Sequence, residues 1–149
     1  MRRAIEVRLD GRPRVAGPSS CEGEKPPGWV TASTTLHFDT RADNILIAGD
    51  RLFVLDWPSA RVGAAFVDWL IIASSVAMQG GPAPDDFMAR FDLSGVSREN
   101  FDAILCSVAG YFVVRALDPA SPGLPTLRAF QAAQGEVALA WLKKRLALS

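Results

Sequence analysis

One polar segment carries the residues of this sequence that could do chemistry. His37, Asp39 and Asn44 follow the spacing H-x-D-x-x-x-x-N, and Asp56 comes after two short apolar runs. A carboxylate can orient a hydroxyl group and accept its proton, and carboxylate and amide oxygens are the hard ligands that Mg²⁺ prefers. This set of residues is therefore typical of phosphoryl transfer from a nucleotide.

Each part of the pattern also has a plainer interpretation when it is taken alone. His37 and Asp39 could form a metal-binding pair or a loop hydrogen bond, and the Asp43-Asn44 pair could be an ordinary turn. A metal-dependent hydrolase using His37, Asp39 and Asp56 is a further alternative, but the chain contains a single histidine. The order and spacing of all the parts together favour the phosphotransfer loop.

The apolar runs after the loop predict a β-hairpin. Residues 44–48 and 51–55 are mostly apolar, and Gly49-Asp50 between them is a two-residue turn signal. Because both faces of this hairpin are apolar, we expect it to be covered on both sides.

The hairpin should bring two polar residues to its open end. Pairing across the turn places Asn44 opposite Leu55, so that Asp56 follows at the same end. Ideal strand pairing would direct Asn44 and Asp56 to opposite faces of the sheet. We therefore expect the ladder to break at this end, so that both side chains can turn toward one site.

The stretch resembles the catalytic loop and metal-binding aspartate of the aminoglycoside phosphotransferase and choline kinase family, the small-molecule branch of the protein-kinase-like fold. Protein kinases carry H-R-D-L-x-x-x-N and D-F-G at these places, and Asp56-Trp57 is similar to the small-molecule variant. The resemblance continues through residues 58–70, with Asp68 at the start of a helix, and covers residues 35–149.

The resemblance implies a role for each polar residue of the loop. Asp39 would be the catalytic base that orients the acceptor hydroxyl, and His37 would orient the loop. Arg41 would lie near the transferred phosphate. Asp68 would support the loop by accepting backbone N–H bonds, which satisfies a buried carboxylate.

Cofactors and a substrate class are implied as well. Asn44 and Asp56 would hold Mg²⁺ on the phosphates of ATP or GTP, and the substrate would be a small hydroxylated molecule. An aminoglycoside is a polycation and would need an acidic pocket. The acidic candidates in the helical region are Asp85, Asp86, Asp92, Glu99, Asp102 and Glu136. They are scattered along the sequence, so choline, homoserine, sugars and other amino alcohols stay open as acceptors.

Residues 1–34 depart from the family pattern. Ile5 to Leu9 alternates and predicts one strand, but the rest of this leader is rich in Gly, Pro and Ser and indicates irregular structure. It contains no G-x-G-x-x-G, and Lys25 lies beside prolines rather than in an apolar strand.

We therefore expect an α+β fold that is mostly helical. It would be the C-terminal lobe of the protein-kinase-like fold, residues 35–149, with one small β-hairpin and without the N-terminal lobe. Activity of such a truncated chain is an open question. The alternative is a catalytically silent lobe that acts only through association, as a homodimer or with a partner that covers its exposed face.

Composition limits the function classes. The 149 residues have a formal net charge of zero, which argues against a nucleic-acid or anionic-membrane partner. The most apolar run, residues 64–78, is too short to span a bilayer. Cys21 and Cys106 lack metal-binding spacing, so a reduced, cytoplasmic chain is expected, with a structural disulfide as the alternative.

Hydrophobic periodicity predicts four helices in the second half of the chain. Their expected bounds are residues 64–78, 85–91, 97–117 and 126–146. The first is apolar on all sides, which indicates a central helix. Ser97 and Thr126 are the expected N-caps of the two long helices.

Overall fold

The computed structural model describes residues 5–8 and 34–147, and over these residues the protein is α+β. Its strands are β1 (Ile5–Arg8), β2 (Thr34–Leu36), β3 (Ile45–Ala48), β4 (Arg51–Val54) and β5 (Arg61–Gly63). Its helices are α1 (Phe66–Met78), α2 (Pro84–Met88), α3 (Arg98–Ala116) and α4 (Leu127–Leu146), with a one-turn 3₁₀ helix at Ala42–Asn44. The chain forms two compact units, divided between Asp68 and Trp69.

The first unit contains two small antiparallel sheets. One has the strand order β1-β4-β3, and the other pairs β2 with β5. Gly49 in the turn between β3 and β4 has φ +63°, a left-handed conformation that glycine adopts without steric cost. Ile47 pairs with Leu52 across this hairpin, which is the register expected from the sequence.

The expectation that the hairpin is covered on both sides is wrong. Leu46 and Ile47 are 51% and 67% exposed. Among the described strands, β3 pairs only with β4 and so forms an edge of its sheet. An edge strand has a neighbouring strand on one side only. The apolar side chains of β3 are therefore not buried merely because they are apolar.

The alternating segment near the N-terminus forms the predicted strand. It spans Ile5–Arg8 and pairs antiparallel with β4, with Val7 opposite Leu52. The remainder of the predicted irregular leader, including Cys21 and Lys25, lies outside the described residues.

Helix α1 is enclosed, as its apolar character predicted. None of its residues is exposed, and Leu70 and Ala73 are fully buried. None of the described helices is long and apolar enough to cross a membrane.

Helices α3 and α4 pack closely in the second unit. Gly135 on α4 faces α3, where a Cβ atom at this position would lie 3.1 Å from the backbone nitrogen of Val113. A glycine therefore allows the two backbones to approach. Leu105 and Phe112 of α3 and Trp141 of α4 are buried in the core.

The helix boundaries agree with the predicted ones to within a few residues, with one error at a cap. The Ser97 hydroxyl accepts a hydrogen bond from the Asn100 backbone N–H at 3.2 Å and caps α3. Thr126 precedes α4 as predicted, but its side chain makes no capping bond and its backbone is already helical, with φ −89° and ψ −7°. A helical conformation at this position does not aim the hydroxyl at the free N–H groups.

Candidate active site

The loop between β2 and the 3₁₀ helix is held by the carboxylate of Asp68. One oxygen of Asp68 accepts the backbone N–H of His37 at 2.6 Å, and the other accepts that of Phe38 at 2.8 Å. Phe38 has φ +63°, which is uncommon for a residue with a side chain. The two bonds from one carboxylate therefore fix a turn that the local sequence does not favour.

His37 connects this turn to the segment that carries Asp56. The imidazole is buried, at 2% exposure. Its Nδ1 accepts the Asp39 backbone N–H at 3.3 Å, so Nε2 carries the proton and donates to the Leu55 carbonyl at 2.7 Å. The ring also packs edge-on against Trp57, with 4.7 Å between the ring centroids. Both nitrogens are engaged with backbone groups, so His37 has no free nitrogen for a metal or a substrate proton.

Asn44 links the loop to the hairpin. It is buried at the end of the 3₁₀ helix, where its side-chain Nδ2 donates to the Asp39 carbonyl at 2.9 Å. Its backbone carbonyl accepts the Leu55 N–H at 2.8 Å, which is the last bond of the hairpin ladder. Asp56, the residue after Leu55, has φ +63° and so departs from the strand conformation. The expected break of the ladder is therefore present at Asp56.

The carboxylate of Asp39 has an unusual electrostatic environment. Burial raises its pKa above the ordinary value of 3.8, and the nearby carboxylates of Asp43 and Asp56 act in the same direction. The positive charge of Arg41 opposes the rise, with Nε 3.6 Å from the Asp39 carboxylate. A raised pKa makes this carboxylate a better proton acceptor than an ordinary aspartate.

Arg41 is held between two carboxylates rather than projecting into solvent. Its Nη2 donates to the Asp43 carboxylate at 3.1 Å, and its side chain is only 17% exposed. Sequence reasoning gave Asp43 no role, although an acid two residues from a loop arginine is a detectable signal. It also missed the hydroxyl of Thr40, which is buried without a hydrogen-bond partner among the described residues.

Asn44 and Asp56 offer a donor set that fits Mg²⁺. Because the amide nitrogen of Asn44 is bound to Asp39, its oxygen is the end that could face a cation. An amide oxygen and a carboxylate are hard ligands, and Mg²⁺ on a nucleotide commonly takes one or two protein ligands besides phosphate and water. No group of three or more His, Cys, Asp or Glu side chains suited to a metal is present in residues 34–147.

Two of the acidic substrate candidates are engaged in ion pairs of the second unit. Asp85 accepts the indole N–H of Trp141 at 2.7 Å and pairs with Lys144 at 2.8 Å. Asp102 pairs with the guanidinium of Arg145 at 2.5 Å. These contacts give both carboxylates a structural role in the second unit.

Comparisons of the chain with protein-family models, curated proteins and solved structures found no match. The geometry of the loop is therefore the feature that bears on function.

Proposed function

We propose that this protein is an ATP-dependent phosphotransferase that phosphorylates a hydroxyl group of a small molecule. The observation that carries the proposal is the connection made by Asn44. Its side chain binds the backbone of Asp39, and its own carbonyl ends the hairpin ladder directly before Asp56. Asp39, Asn44 and the segment that carries Asp56 are thereby joined through one short hydrogen-bonded path, which supports their proposed roles as base and cation ligands.

Asp39 would act as the base of this reaction. Its carboxylate would orient the acceptor hydroxyl and take its proton as the oxygen attacks the terminal phosphorus of ATP. The bond between that phosphorus and the bridging oxygen would break, and ADP would leave with the bridging oxygen. The raised pKa supports this role, since proton transfer to a more basic carboxylate is easier. Arg41 would hold the Asp39 carboxylate in place, and its positive charge limits how far the pKa of Asp39 is raised.

Asn44 and Asp56 would hold Mg²⁺ on the phosphates of ATP or GTP. When bound, the ion supplies charge neutralisation to the transferred phosphoryl group. The chain's own contribution is positioning: His37 and Asp68 fix the backbone on both sides of the reacting groups. The same contacts support the finer proposal that residues 35–149 are a kinase-like lobe.

A second candidate function is association without catalysis. Leu46 and Ile47 on the edge strand β3 are exposed, and so is Val62 on β5, at 72%. Exposed apolar side chains beside unpaired strand edges are features of surfaces that bind other chains. In this alternative the loop would be structural and nucleotide binding would be absent.

Thermal unfolding with and without millimolar Mg-ATP separates the two candidates. The phosphotransferase proposal predicts that Mg-ATP raises the Tm by several degrees at a concentration well above the dissociation constant. Asp56→Ala should abolish the shift. Asp86→Ala, which removes an exposed carboxylate of the second unit, should keep it. Equal melting curves with and without Mg-ATP would contradict nucleotide binding and leave the association function.

The catalytic assignment needs a turnover assay. Phosphate transfer from ATP should be screened against amino alcohols, sugars and aminoglycosides. With any acceptor that is turned over, Asp39→Ala should lower the rate by at least about a hundredfold, the scale of general base catalysis. Activity within a few-fold of wild type would show that Asp39 is not the base.

A further inference from the structure

One exposed face of α3 is almost uncharged. Five residues recur on it at alternating spacings of four and three: Ala103, Ser107, Gly110, Val114 and the C-cap Leu117, all of them exposed. We name these five residues the α3 seam. The 4-3-4-3 spacing is the heptad pattern by which one helix packs lengthwise against another.

The flanks of the α3 seam extend the uncharged surface. Cys106 and Val113 lie along one side, and Tyr111, which is 53% exposed, lies along the other. Among the exposed residues from position 103 to 117, only Arg115 is charged. The outer face of a helix in a water-soluble unit is normally rich in charged residues, so this face has the character of an interface.

The size of the side chains changes along the α3 seam. Its N-terminal half presents the small residues Ala103, Ser107 and Gly110. Its C-terminal half presents Val114 and Leu117, which are 62% and 82% exposed. A second copy running in the opposite direction would place the large half of each seam against the small half of the other.

We propose that the α3 seam binds a second copy of this chain, with the two α3 helices antiparallel. A parallel arrangement would place Val114 and Leu117 against their own counterparts and leave a gap between the small halves. The antiparallel arrangement also opposes the helix dipoles, which is favourable.

The area of the α3 seam indicates a weak dimer. Residues 103–117 span about 21 Å of helix, and such a contact would bury roughly 400 Å² on each copy, about half of a standard interface. We therefore expect a transient dimer whose population rises with protein concentration rather than an obligate one.

Disulfide cross-linking tests the direction of the helices. In an antiparallel pair, Cys106 of one copy lies beside position 113 of the other, whereas in a parallel pair it lies beside position 111. In a Cys21→Ser background, mild oxidation should convert the Val113→Cys variant to a covalent dimer and leave Tyr111→Cys monomeric. Positions 106 and 113 of one helix are about 10 Å apart, too far for a bond within one copy.

Sedimentation at concentrations from 5 to about 500 μM tests the seam itself. The wild-type chain should dimerise as its concentration rises, and Leu117→Glu should weaken the association at least about tenfold. Leu139→Glu changes an exposed leucine of α4 and is the matched control, so it should leave the dimer association unchanged. Melting curves verify that both variants fold. A wild-type monomer at every concentration, equal effects of the two substitutions, or faster cross-linking of Tyr111→Cys would overturn the proposal.

Discussion

Substitution of Asp68 by Asn should destabilise the protein strongly for a change of so few atoms. The Asp68 carboxylate accepts two backbone N–H groups, from His37 at 2.6 Å and from Phe38 at 2.8 Å. An Asn side chain retains one acceptor and presents an NH₂ group to the second N–H. One charge-assisted bond is then lost, and the other becomes an ordinary neutral bond.

The expected loss can be estimated from these two bonds. A hydrogen bond to a charged group contributes about 1.5–3 kcal/mol, and a neutral bond contributes about 1 kcal/mol. The negative charge of Asp68 in the first turn of α1 adds about 0.3–1 kcal/mol through the helix dipole. The free energy of unfolding should therefore fall by about 2–6 kcal/mol, and the Tm by about 5–25 °C for a chain of this length.

Urea unfolding followed by tryptophan fluorescence measures this loss, since Trp57 contacts the ring of His37 within the affected loop. Asp86→Asn removes an exposed carboxylate without these bonds and should change the free energy by less than about 0.5 kcal/mol. If Asp68→Asn also remained within about 0.5 kcal/mol of wild type, the reasoning that Asp68 fixes the loop would be refuted.

Three further predictions concern stability. Asp39→Asn should raise the Tm at neutral pH, because the pKa of Asp39 is raised and its ionised form is disfavoured in the folded state. The difference in Tm between variant and wild type should close as pH falls through that raised pKa and disappear below 3.8, and a difference independent of pH would contradict this prediction. Burial would raise the pKa of Asp85, but hydrogen bonds from Lys144 and Trp141 lower this pKa overall. The stability that ionised Asp85 contributes should therefore be present above pH 3.8 and be lost as pH falls through the lowered pKa, which urea titrations at several pH values measure. Asp85→Ala should cost about 1–3 kcal/mol at pH 7 by leaving the buried Trp141 N–H without an acceptor, and Asp85→Asn should cost less. Gly135→Ala should lower the Tm, because the added Cβ would meet the α3 backbone. Gly110 has open space around it, so Gly110→Ala should raise the stability of the dilute protein by about 0.5–1 kcal/mol. A higher Tm for both variants would exclude close packing at Gly135.

Local sequence patterns determined the elements that carry the site. The Gly49-Asp50 turn between two apolar runs was sufficient to predict the hairpin and its register, because a two-residue turn fixes which residues pair. Hydrophobic periodicity likewise located the helices to within a few residues. The polar spacing of the loop identified His37, Asp39 and Asn44 as a group, since their proximity follows from chain connectivity alone.

Tertiary contacts decided what these patterns could not. The resemblance implied that Asp68 accepts backbone N–H bonds from the loop, but Asp68 is distant from His37 in sequence. Only the fold shows that the two N–H groups are those of His37 and Phe38, and that they hold the positive φ of Phe38. The sequence did not predict the exposure of Ile47, because an apolar strand has the same residue pattern whether it lies at the edge of a sheet or at its centre.

The charged residues show the same division. Asp85 and Asp102 are acidic candidates in the sequence, but the fold pairs them with Lys144 and Arg145 of α4. A local pattern specifies which residues are adjacent along the chain and on one face of an element. The partner of a buried or paired charge depends on contacts between elements far apart in sequence, so only the tertiary structure determines it.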